Sequence, residues 1–102
     1  ALRDFITTPV IKKNRSSAWA QYTLRVENRQ LLQDKLMKLG VPTAVYYPMP
    51  LHLQKCFQHL NYTKGNFPVS EKASSEVMSL PMNSFLTNDE IDYVILNIKE
   101  NI

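Results

Sequence analysis

The stretch from Tyr46 to Gln54, here called the proline segment, constrains the fold more than any other part of the chain. Pro48 and Pro50 each fix the backbone angle φ, remove a hydrogen-bond donor and push the preceding residue towards extended geometry. The segment therefore cannot continue a helix or lie in a central strand. We predict a stiff, extended connector that follows a strand ending near Val45. Such a connector either holds its aromatic side chains against a ligand or caps the local core with them.

Length and composition indicate one globular domain. The chain has 102 residues, of which 44% are hydrophobic and 21% are charged, and these values argue against disorder. Its only glycines, Gly40 and Gly65, cannot form a glycine-rich phosphate loop. The single cysteine, Cys56, excludes an internal disulfide and does not favour a zinc cluster. The chain lacks an initial Met and a signal-peptide pattern, so we expect a cytoplasmic fragment or processed product.

The formal charge of +3 points to no particular class of partner. Lys12, Lys13 and Arg15 form a short basic cluster, but no long basic run and no alternation with aromatic residues follows it. No apolar run is long enough to cross a membrane. We therefore expect neither nucleic acid nor a membrane among the partners.

The first half of the chain predicts a strand, a helix and a second strand. Residues 18–26 alternate between apolar and polar side chains, which is typical of a half-buried strand. A helix begins at residue 27 or 28 and ends at Leu39, and Gly40 is placed for its left-handed cap. Val41–Tyr47 follows as a strand rich in β-branched and aromatic residues. This order allows a βαβ crossover but does not settle whether the two strands are neighbours.

Two short helices are predicted after the proline segment begins. Leu51–Leu60 can form the first of them. Pro68–Glu76 can form the second, because proline is tolerated at a first helical position. Val69 and Ala73 are spaced as the apolar face of this second helix.

The end of the chain predicts a short strand and a strongly signalled helix. The strand is Val77–Met82. Thr87 and Glu90 then form a capping box, in which each side chain satisfies the other residue's backbone N–H, and an apolar stripe follows. The chain is therefore a mixed α and β domain.

Two histidines and the cysteine are the candidates for metal binding or nucleophilic catalysis. His52 and His59 are seven residues apart, whereas helical metal ligands prefer spacings of three or four, so we expect no metal site. Cys56 could act as a nucleophile with His52 one helical turn before it. The alternative, a small buried thiol that faces the core, is favoured.

Four segments occur in a fixed order along the chain: Ser17–Leu24, Gly40–Gln54, Phe67–Ala73 and Ser79–Met82. In this order they resemble the C-terminal part of the DegT/DnrJ/EryC1/StrS family of pyridoxal-phosphate-dependent nucleotide-sugar aminotransferases. The resemblance covers residues 17–98, and it is closest to UDP-2-acetamido-2-deoxy-3-oxo-glucuronate aminotransferases. Four motifs in order are far more specific than any one of them.

The resemblance implies an α+β fold, the small C-terminal domain of the type I, aspartate aminotransferase-like fold, with a few-stranded sheet covered by helices. Residues 1–102 would form this single domain, and a large domain would precede it. In the family, the large domain carries the Schiff-base lysine, the carboxylate that faces the pyridine nitrogen and most phosphate contacts. Pyridoxal 5′-phosphate would then be bound outside this chain, which alone should not catalyse transamination.

For this chain the resemblance implies a role in substrate positioning. In similar enzymes the segment that matches Tyr46 and Tyr47 lies near the sugar nucleotide, often as histidine followed by tyrosine. Tyr46 replaces that histidine, and a phenol hydrogen-bonds a sugar or carboxylate without charge near neutral pH. His52 and Gln54 keep the family's P-L-H-x-Q pattern and either bind substrate or brace the loop. The expected substrate-binding residues are therefore Tyr46, Tyr47, His52 and Gln54, and no catalytic residue is expected here.

The implied substrates are a UDP-linked or other nucleotide-linked keto sugar and an amino-acid donor such as glutamate. The full-length parent would be a homodimeric enzyme of surface-polysaccharide or amino-sugar biosynthesis. The alternative is a free-standing α+β module that binds an acidic partner. The enzyme interpretation predicts uncovered apolar surface where a large domain packs. The module interpretation predicts a closed core and a basic patch around residues 12–15.

Overall fold

The computed structural model describes residues 1–102, and its strands form one small antiparallel sheet. Strand β1 (Tyr22–Arg25) pairs with strand β2 (Val77–Leu80), so that Thr23 lies opposite Ser79. Their hydroxyl oxygens are 2.8 Å apart, which is a favourable cross-strand pair. One isolated bridge extends the sheet on each side: Thr7 with Arg25, and Ala44 with Ser79.

Three α-helices and two short 3₁₀ segments complete the fold. Arg29, at the start of the first α-helix, donates from Nη1 to the carbonyl oxygens of Ser74 and Val77. A positive charge therefore lies at the C-terminal end of the second helix, where the helix dipole favours it. The bounds are α1 (Arg29–Lys38), the 3₁₀ segments Leu51–Leu53 and Lys55–Leu60, α2 (Pro68–Glu76) and α3 (Asn88–Asn101).

Helix α1 ends with the left-handed glycine cap that the sequence predicts. Gly40 has a φ of +76°. The Val41 N–H donates to the Leu36 carbonyl at 2.9 Å, and the Gly40 N–H donates to the Met37 carbonyl at 3.1 Å. These are the two hydrogen bonds of a Schellman motif. Val41 and Leu36 are both buried in the core, so the apolar residues that accompany this motif are present as well.

Eight buried apolar side chains form the core beside the sheet and helices α1 and α3. The alternation predicts that even-numbered residues 18–26 face the core; Leu24 and Val26 are buried as predicted, whereas Ala18 and Ala20 are exposed. Tyr22, Val94 and Ile95 are partly buried against this core. The core residues are Leu2, Leu24, Val26, Leu32, Leu36, Val41, Met78 and Ile98.

The predicted strand Val41–Tyr47 is wrong, because this stretch joins the sheet only at Ala44. Ala44 and Ser79 exchange both backbone hydrogen bonds, at 3.1 and 2.7 Å. In this register the next hydrogen-bonded pair on one side would be Pro42 with Pro81, and neither residue has an N–H to donate. On the other side it would be Tyr46 with Val77, but the Val77 N–H donates to the Ala73 carbonyl and the Val77 carbonyl accepts from Arg29. The stretch Val41–Tyr47 and β1 are therefore not neighbours, since Ala44 and β1 lie on opposite edges of β2.

Both remaining strands are shorter than predicted. The stretch 18–26 is extended only over Tyr22–Arg25, because Trp19 adopts a φ of +48° that breaks an extended backbone. The stretch Val77–Met82 is a strand only up to Leu80, and Pro81 ends it.

The predicted helix Leu51–Leu60 is wrong, since the chain forms two 3₁₀ segments instead. Gln54 lies between them with an extended backbone, at a ψ of 143°. The first turn is closed by hydrogen bonds from Leu53 to Pro50 and from Gln54 to Leu51, each 3.0 Å long. Over so few residues a 3₁₀ turn and an α-helix share one apolar spacing, so periodicity does not separate them.

Helices α2 and α3 begin where the sequence predicts. The capping box of α3 is complete, because the Glu90 N–H donates to Thr87 Oγ1 at 3.3 Å and the Thr87 N–H donates to Glu90 Oε2 at 2.8 Å. The predicted apolar face of α2 is wrong. Val69 is 79% exposed, and the residue of α2 that is buried is Ser74.

The chain leaves much of its apolar surface uncovered. Only 12 of its 102 residues are buried. Its Cα radius of gyration is 15.6 Å, whereas a compact domain of this length has about 13 Å. Large apolar side chains such as Phe85 and Val10 project into solvent. None of the helices combines the length and the apolar character that a membrane span requires.

Candidate functional site

A groove of about 210 Å³ lies between the proline segment and helix α2. Three of the four expected substrate-binding residues line it, namely Tyr46, Tyr47 and Gln54. Helix α2 contributes small side chains, among them Ser70 and Ser74. The groove thus combines phenols, an amide and hydroxyls with apolar walls, which suits a polar ligand that also has an apolar face.

The two tyrosines of the groove project towards solvent. Tyr46 is 49% exposed and Tyr47 is 72% exposed. Their rings lie 6.3 Å apart at 78°, in an edge-to-face arrangement. Both phenols are therefore accessible to a ligand that enters the groove.

The N-terminal end of the proline segment is anchored on two sides. The Ala44 bridge fixes the backbone to β2, through its two hydrogen bonds with Ser79. On the other side, Gln33 Nε2 of α1 donates to Thr43 Oγ1 at 2.9 Å. Tyr46 therefore follows a point at which the chain is held by both the sheet and a helix.

The C-terminal end of the proline segment is held by one carboxylate, that of Glu71 in α2. Its Oε1 lies 3.0 Å from His52 Nε2. The Gly65 N–H donates to Oε1 at 2.8 Å and to Oε2 at 3.0 Å, and the Phe67 N–H donates to Oε1 at 3.3 Å. We call His52, Gly65, Phe67 and Glu71 the Glu71 cluster. It joins the proline segment, the turn at Gly65 and the first turn of α2.

Packing and backbone geometry support the Glu71 cluster. The His52 side chain is only 7% exposed, and its ring centroid lies 4.8 Å from that of Phe67. Gly65 has a φ of +95°, which a residue with a side chain rarely adopts, and this conformation directs its N–H at the carboxylate. The histidine is therefore enclosed, and its ring orientation is set by both a hydrogen bond and an aromatic contact.

The Glu71 cluster keeps its carboxylate ionised. Partial burial raises the pKa of the Glu71 carboxyl, but the hydrogen bonds from the Gly65 and Phe67 amides and from His52 outweigh it and hold the pKa below its ordinary value of 4.5. An ionised carboxylate only accepts hydrogen bonds. His52 must therefore carry a proton on Nε2, and it donates this proton to Glu71.

The four expected substrate-binding residues divide into two groups. Tyr46, Tyr47 and Gln54 line the groove, whereas the His52 ring points to Glu71 and does not line it. Gln54 also closes the loop, since its Nε2 donates to the Met49 carbonyl at 3.4 Å. Substrate binding by these residues stays a prediction.

Cys56 is exposed, so the favoured expectation of a buried thiol is wrong. The 3₁₀ segment Lys55–Leu60 contains no buried residue, because it lies at the surface. His52 is bonded to Glu71, and His59 Nδ1 lies 3.1 Å from the Cys56 carbonyl oxygen. The cysteine is thus not paired with a histidine as a nucleophile would be. No group of three or more His, Cys, Asp or Glu side chains is arranged to hold a metal ion.

Glu71 is the residue of this site that sequence reasoning missed. It lies within the segment Phe67–Ala73, but the sequence assigns it no partner. The available signal was a carboxylate in the first turn of a proline-initiated helix, where the helix dipole favours negative charge. That signal predicts a favourable place for Glu71, but not the residues that it binds.

Solved structures place this fold in the class of sugar aminotransferases. An aminotransferase from Brucella abortus matches with a TM-score of 0.87 and 39% sequence identity, over 97% of this chain and 26% of that one. Among solved structures with this fold, some are described as PLP or PMP forms. The fold is therefore that of part of a type I PLP enzyme.

The family follows from the sequence comparisons. Residues 1–99 match the DegT/DnrJ/EryC1/StrS aminotransferase family, and the chain belongs to this family. A UDP-2-acetamido-2-deoxy-3-oxo-D-glucuronate aminotransferase of Pseudomonas aeruginosa is 44% identical over 87% of the chain and 24% of that protein. A pleiotropic regulatory protein of Geobacillus stearothermophilus is 42% identical over 98% of the chain and 27% of that protein. The chain thus spans about a quarter of the length of the curated relatives it matches.

Proposed function

We propose that the full-length parent of this chain transfers an amino group to a keto nucleotide sugar, and that this chain helps to position the sugar. The reaction would serve surface-polysaccharide or amino-sugar biosynthesis. The observation that carries the proposal is the groove in which Tyr46, Tyr47 and Gln54 meet α2, within a chain of the sugar-aminotransferase family.

We also propose that the chain is the small C-terminal domain of that parent. Its apolar surface is open, its buried core has eight apolar residues, and its relatives are about four times as long. Twenty large apolar side chains are more than a third exposed, and exposed apolar surface that is contiguous usually marks contact with another domain or chain. A large domain that covers this surface would stabilise both parts by burying it.

The groove residues suit a sugar nucleotide. The phenols of Tyr46 and Tyr47 can donate and accept hydrogen bonds with sugar hydroxyls or a sugar carboxylate, and the amide of Gln54 can do both as well. Aromatic faces can also pack on the apolar C–H face of a sugar ring. Because the proline segment is stiff and anchored at both ends, binding would cost little ordering entropy. Its contribution to catalysis would be correct placement of the keto carbon.

Pyridoxal phosphate does not fit the groove of this chain. The groove lining contains no lysine for a Schiff base, no carboxylate to face a pyridine nitrogen and no cation for the phosphate. The family implies this cofactor for the parent, and it would supply the electron sink for amino-group transfer. We place its binding residues in the rest of the parent.

Several features of the parent belong to the same proposal. The substrates would be a UDP-linked or other nucleotide-linked keto sugar and an amino-acid donor such as glutamate. The parent would be a cytoplasmic homodimer. Family membership and the name of the Pseudomonas aeruginosa relative, which specifies a UDP-linked keto sugar, support the proposed substrates.

The alternative, a free-standing module for an acidic partner, is not favoured. It requires a closed core, whereas this chain leaves large apolar side chains such as Phe85 and Tyr47 exposed. Lys12, Lys13 and Arg15 are exposed, but lysine and arginine are exposed in most proteins, so this cluster does not by itself indicate an acidic partner.

The test is a single hydroxyl deletion in the full-length parent. Tyr47→Phe should raise KM for UDP-2-acetamido-2-deoxy-3-oxo-D-glucuronate by about tenfold and change KM for glutamate by less than about twofold, because the lost hydroxyl contacts only the sugar. Tyr62→Phe is the matched control, since Tyr62 is exposed, does not line the groove and keeps its ring contact with Phe67. Equal changes in both KM values for Tyr47→Phe would contradict the proposed role.

A further inference from the structure

We propose that Glu71 is a positioning residue, whose carboxylate sets the orientation of the proline segment and thereby the place at which Tyr47 meets the sugar. This inference rests on the proposed function, since Glu71 acts through residues proposed to contact substrate. Glu71 itself does not line the groove. Any effect of Glu71 on substrate binding must therefore pass through the segment that it holds.

The groove tyrosines lie between two fixed points. The backbone is anchored at Ala44 by β2 and at His52 by Glu71. Pro48 and Pro50 stiffen the intervening chain, so the stretch behaves as a short strut rather than as a loose loop. If the anchor at His52 is released, the strut can pivot about Ala44. The Tyr47 phenol would then no longer be held at one distance from α2.

The second anchor requires a carboxylate rather than a carboxamide. Glu71 accepts hydrogen bonds from three donors, namely Gly65 N, Phe67 N and His52 Nε2. A glutamine at this position would have nearly the same shape, but one of its two polar atoms would be an NH₂ group. The Gly65 N–H donates to both carboxylate oxygens of Glu71. In either orientation of the glutamine side chain, its NH₂ group would therefore face the Gly65 N–H, and two donors would meet. Glu71→Gln therefore loosens the cluster without removing volume.

Glu76 provides a matched control on the same helix. Its side chain is 14% exposed, and that of Glu71 is 15% exposed. Glu76 pairs with Arg25 of β1, at 2.6 Å, and with Lys72, and it does not line the groove. Glu76→Gln thus removes a carboxylate of equal exposure that has no part in the Glu71 cluster.

The experiment uses the full-length parent loaded with its cofactor. Initial rates are measured against UDP-2-acetamido-2-deoxy-3-oxo-D-glucuronate and, separately, against glutamate. Glu71→Gln should raise KM for the sugar about tenfold and leave KM for glutamate within about twofold of the unaltered protein. Hydrogen exchange of residues 46–54 should become faster. Glu76→Gln should change neither KM nor the exchange of that stretch.

A purely structural role gives a different pattern. If Glu71→Gln only unfolds a fraction of the molecules, kcat falls for both substrates while both KM values stay constant. That result, or equal effects of Glu71→Gln and Glu76→Gln, would overturn the inference.

A second pair of variants keeps the inference testable if Glu71→Gln does not fold. His52→Leu removes the donor to Glu71, and His52→Gln restores an N–H donor close to the position of Nε2. KM for the sugar should rise in His52→Leu and return towards normal in His52→Gln. Identical values for both variants would overturn the inference. If the unaltered parent transaminates no nucleotide sugar, the proposed function fails, and faster exchange of residues 46–54 in Glu71→Gln still decides the anchoring role.

Discussion

The glycine cap of α1 allows a direct prediction, because the effect of replacing Gly40 on stability depends only on its backbone conformation. Gly40 has a φ of +76°, and a Cβ built on it would meet no heavy atom within 4 Å other than those of residues 39–41. Gly40→Ala therefore introduces no clash, and its whole cost is that of a left-handed conformation, about 1–2 kcal/mol. The unfolded chain also loses freedom, which offsets roughly 0.4–1 kcal/mol. We expect a net destabilisation of about 1 kcal/mol.

The assay for this prediction is hydrogen exchange of the Schellman amides, Gly40 and Val41, in the full-length protein. A loss of about 1 kcal/mol makes local opening roughly fivefold more frequent. Gly40→Asn is the control, since asparagine tolerates the left-handed region better than alanine does. The expected order of exchange rates is glycine, asparagine, alanine, from slowest to fastest. Unchanged exchange in Gly40→Ala, or faster exchange in Gly40→Asn than in Gly40→Ala, would refute the conformational reasoning.

Two further predictions concern α3. Ile98 is fully buried in the core, so in guanidinium unfolding of the parent Ile98→Ala should cost about 2–5 kcal/mol and Ile98→Val about 0.5–1.5 kcal/mol; equal losses would contradict a packed site. The Thr87 N–H and hydroxyl hold the pKa of Glu90 below its ordinary value of 4.5. Stability from this carboxylate is therefore present above pH 4.5 and lost as pH falls through the lower folded pKa. Protection of the amides at the start of α3 against hydrogen exchange, relative to the unfolded chain at the same pH, should therefore fall there, and Glu90→Gln should remove that fall.

Local signals in the sequence predict the features of this fold that local chemistry determines. The Thr87–Glu90 capping box, the Gly40 cap and the proline at the start of α2 each act within a few residues, and each appears as predicted. The inner face of β1 is also predictable, since the alternation of apolar and polar residues indicates which side chains face the core.

Features that depend on a distant partner are not predictable in this way. Ala44 joins β2 for a single residue pair, because prolines 42 and 81 meet on one side of it and the backbone of Val77 is already hydrogen-bonded on the other. The sequence of residues 41–47 alone does not predict how long this pairing is, because its length depends on which residues of β2 lie opposite. Likewise, the sequence indicates only that Glu71 is a carboxylate in the first turn of a helix. Its role in holding the proline segment depends on its hydrogen bond with His52, which lies 19 residues earlier in the chain.

In the candidate site, too, some features follow from the sequence alone and others depend on the folded chain. Residue type and the order of the motifs predict Tyr46, Tyr47 and Gln54, which the fold brings together in one groove. His52 is the instructive case, since the sequence leaves binding and bracing equally open. Its burial and its bond to Glu71 favour bracing, and both are properties of the folded chain.

The two anchors of the proline segment lie on adjacent elements of the fold, and this affects how the groove can move. One anchor is Glu71 on α2 and the other is Ser79 on β2, and α2 passes directly into β2 at Val77 without a connecting loop. Both ends of the strut are therefore fixed to one continuous piece of structure, and Arg29 of α1 binds the Ser74 and Val77 carbonyls where α2 passes into β2. The groove should keep its shape when this piece moves. If the tyrosines contact a sugar as proposed, their approach to it would then require movement of this whole chain as a body, and not an opening of the groove.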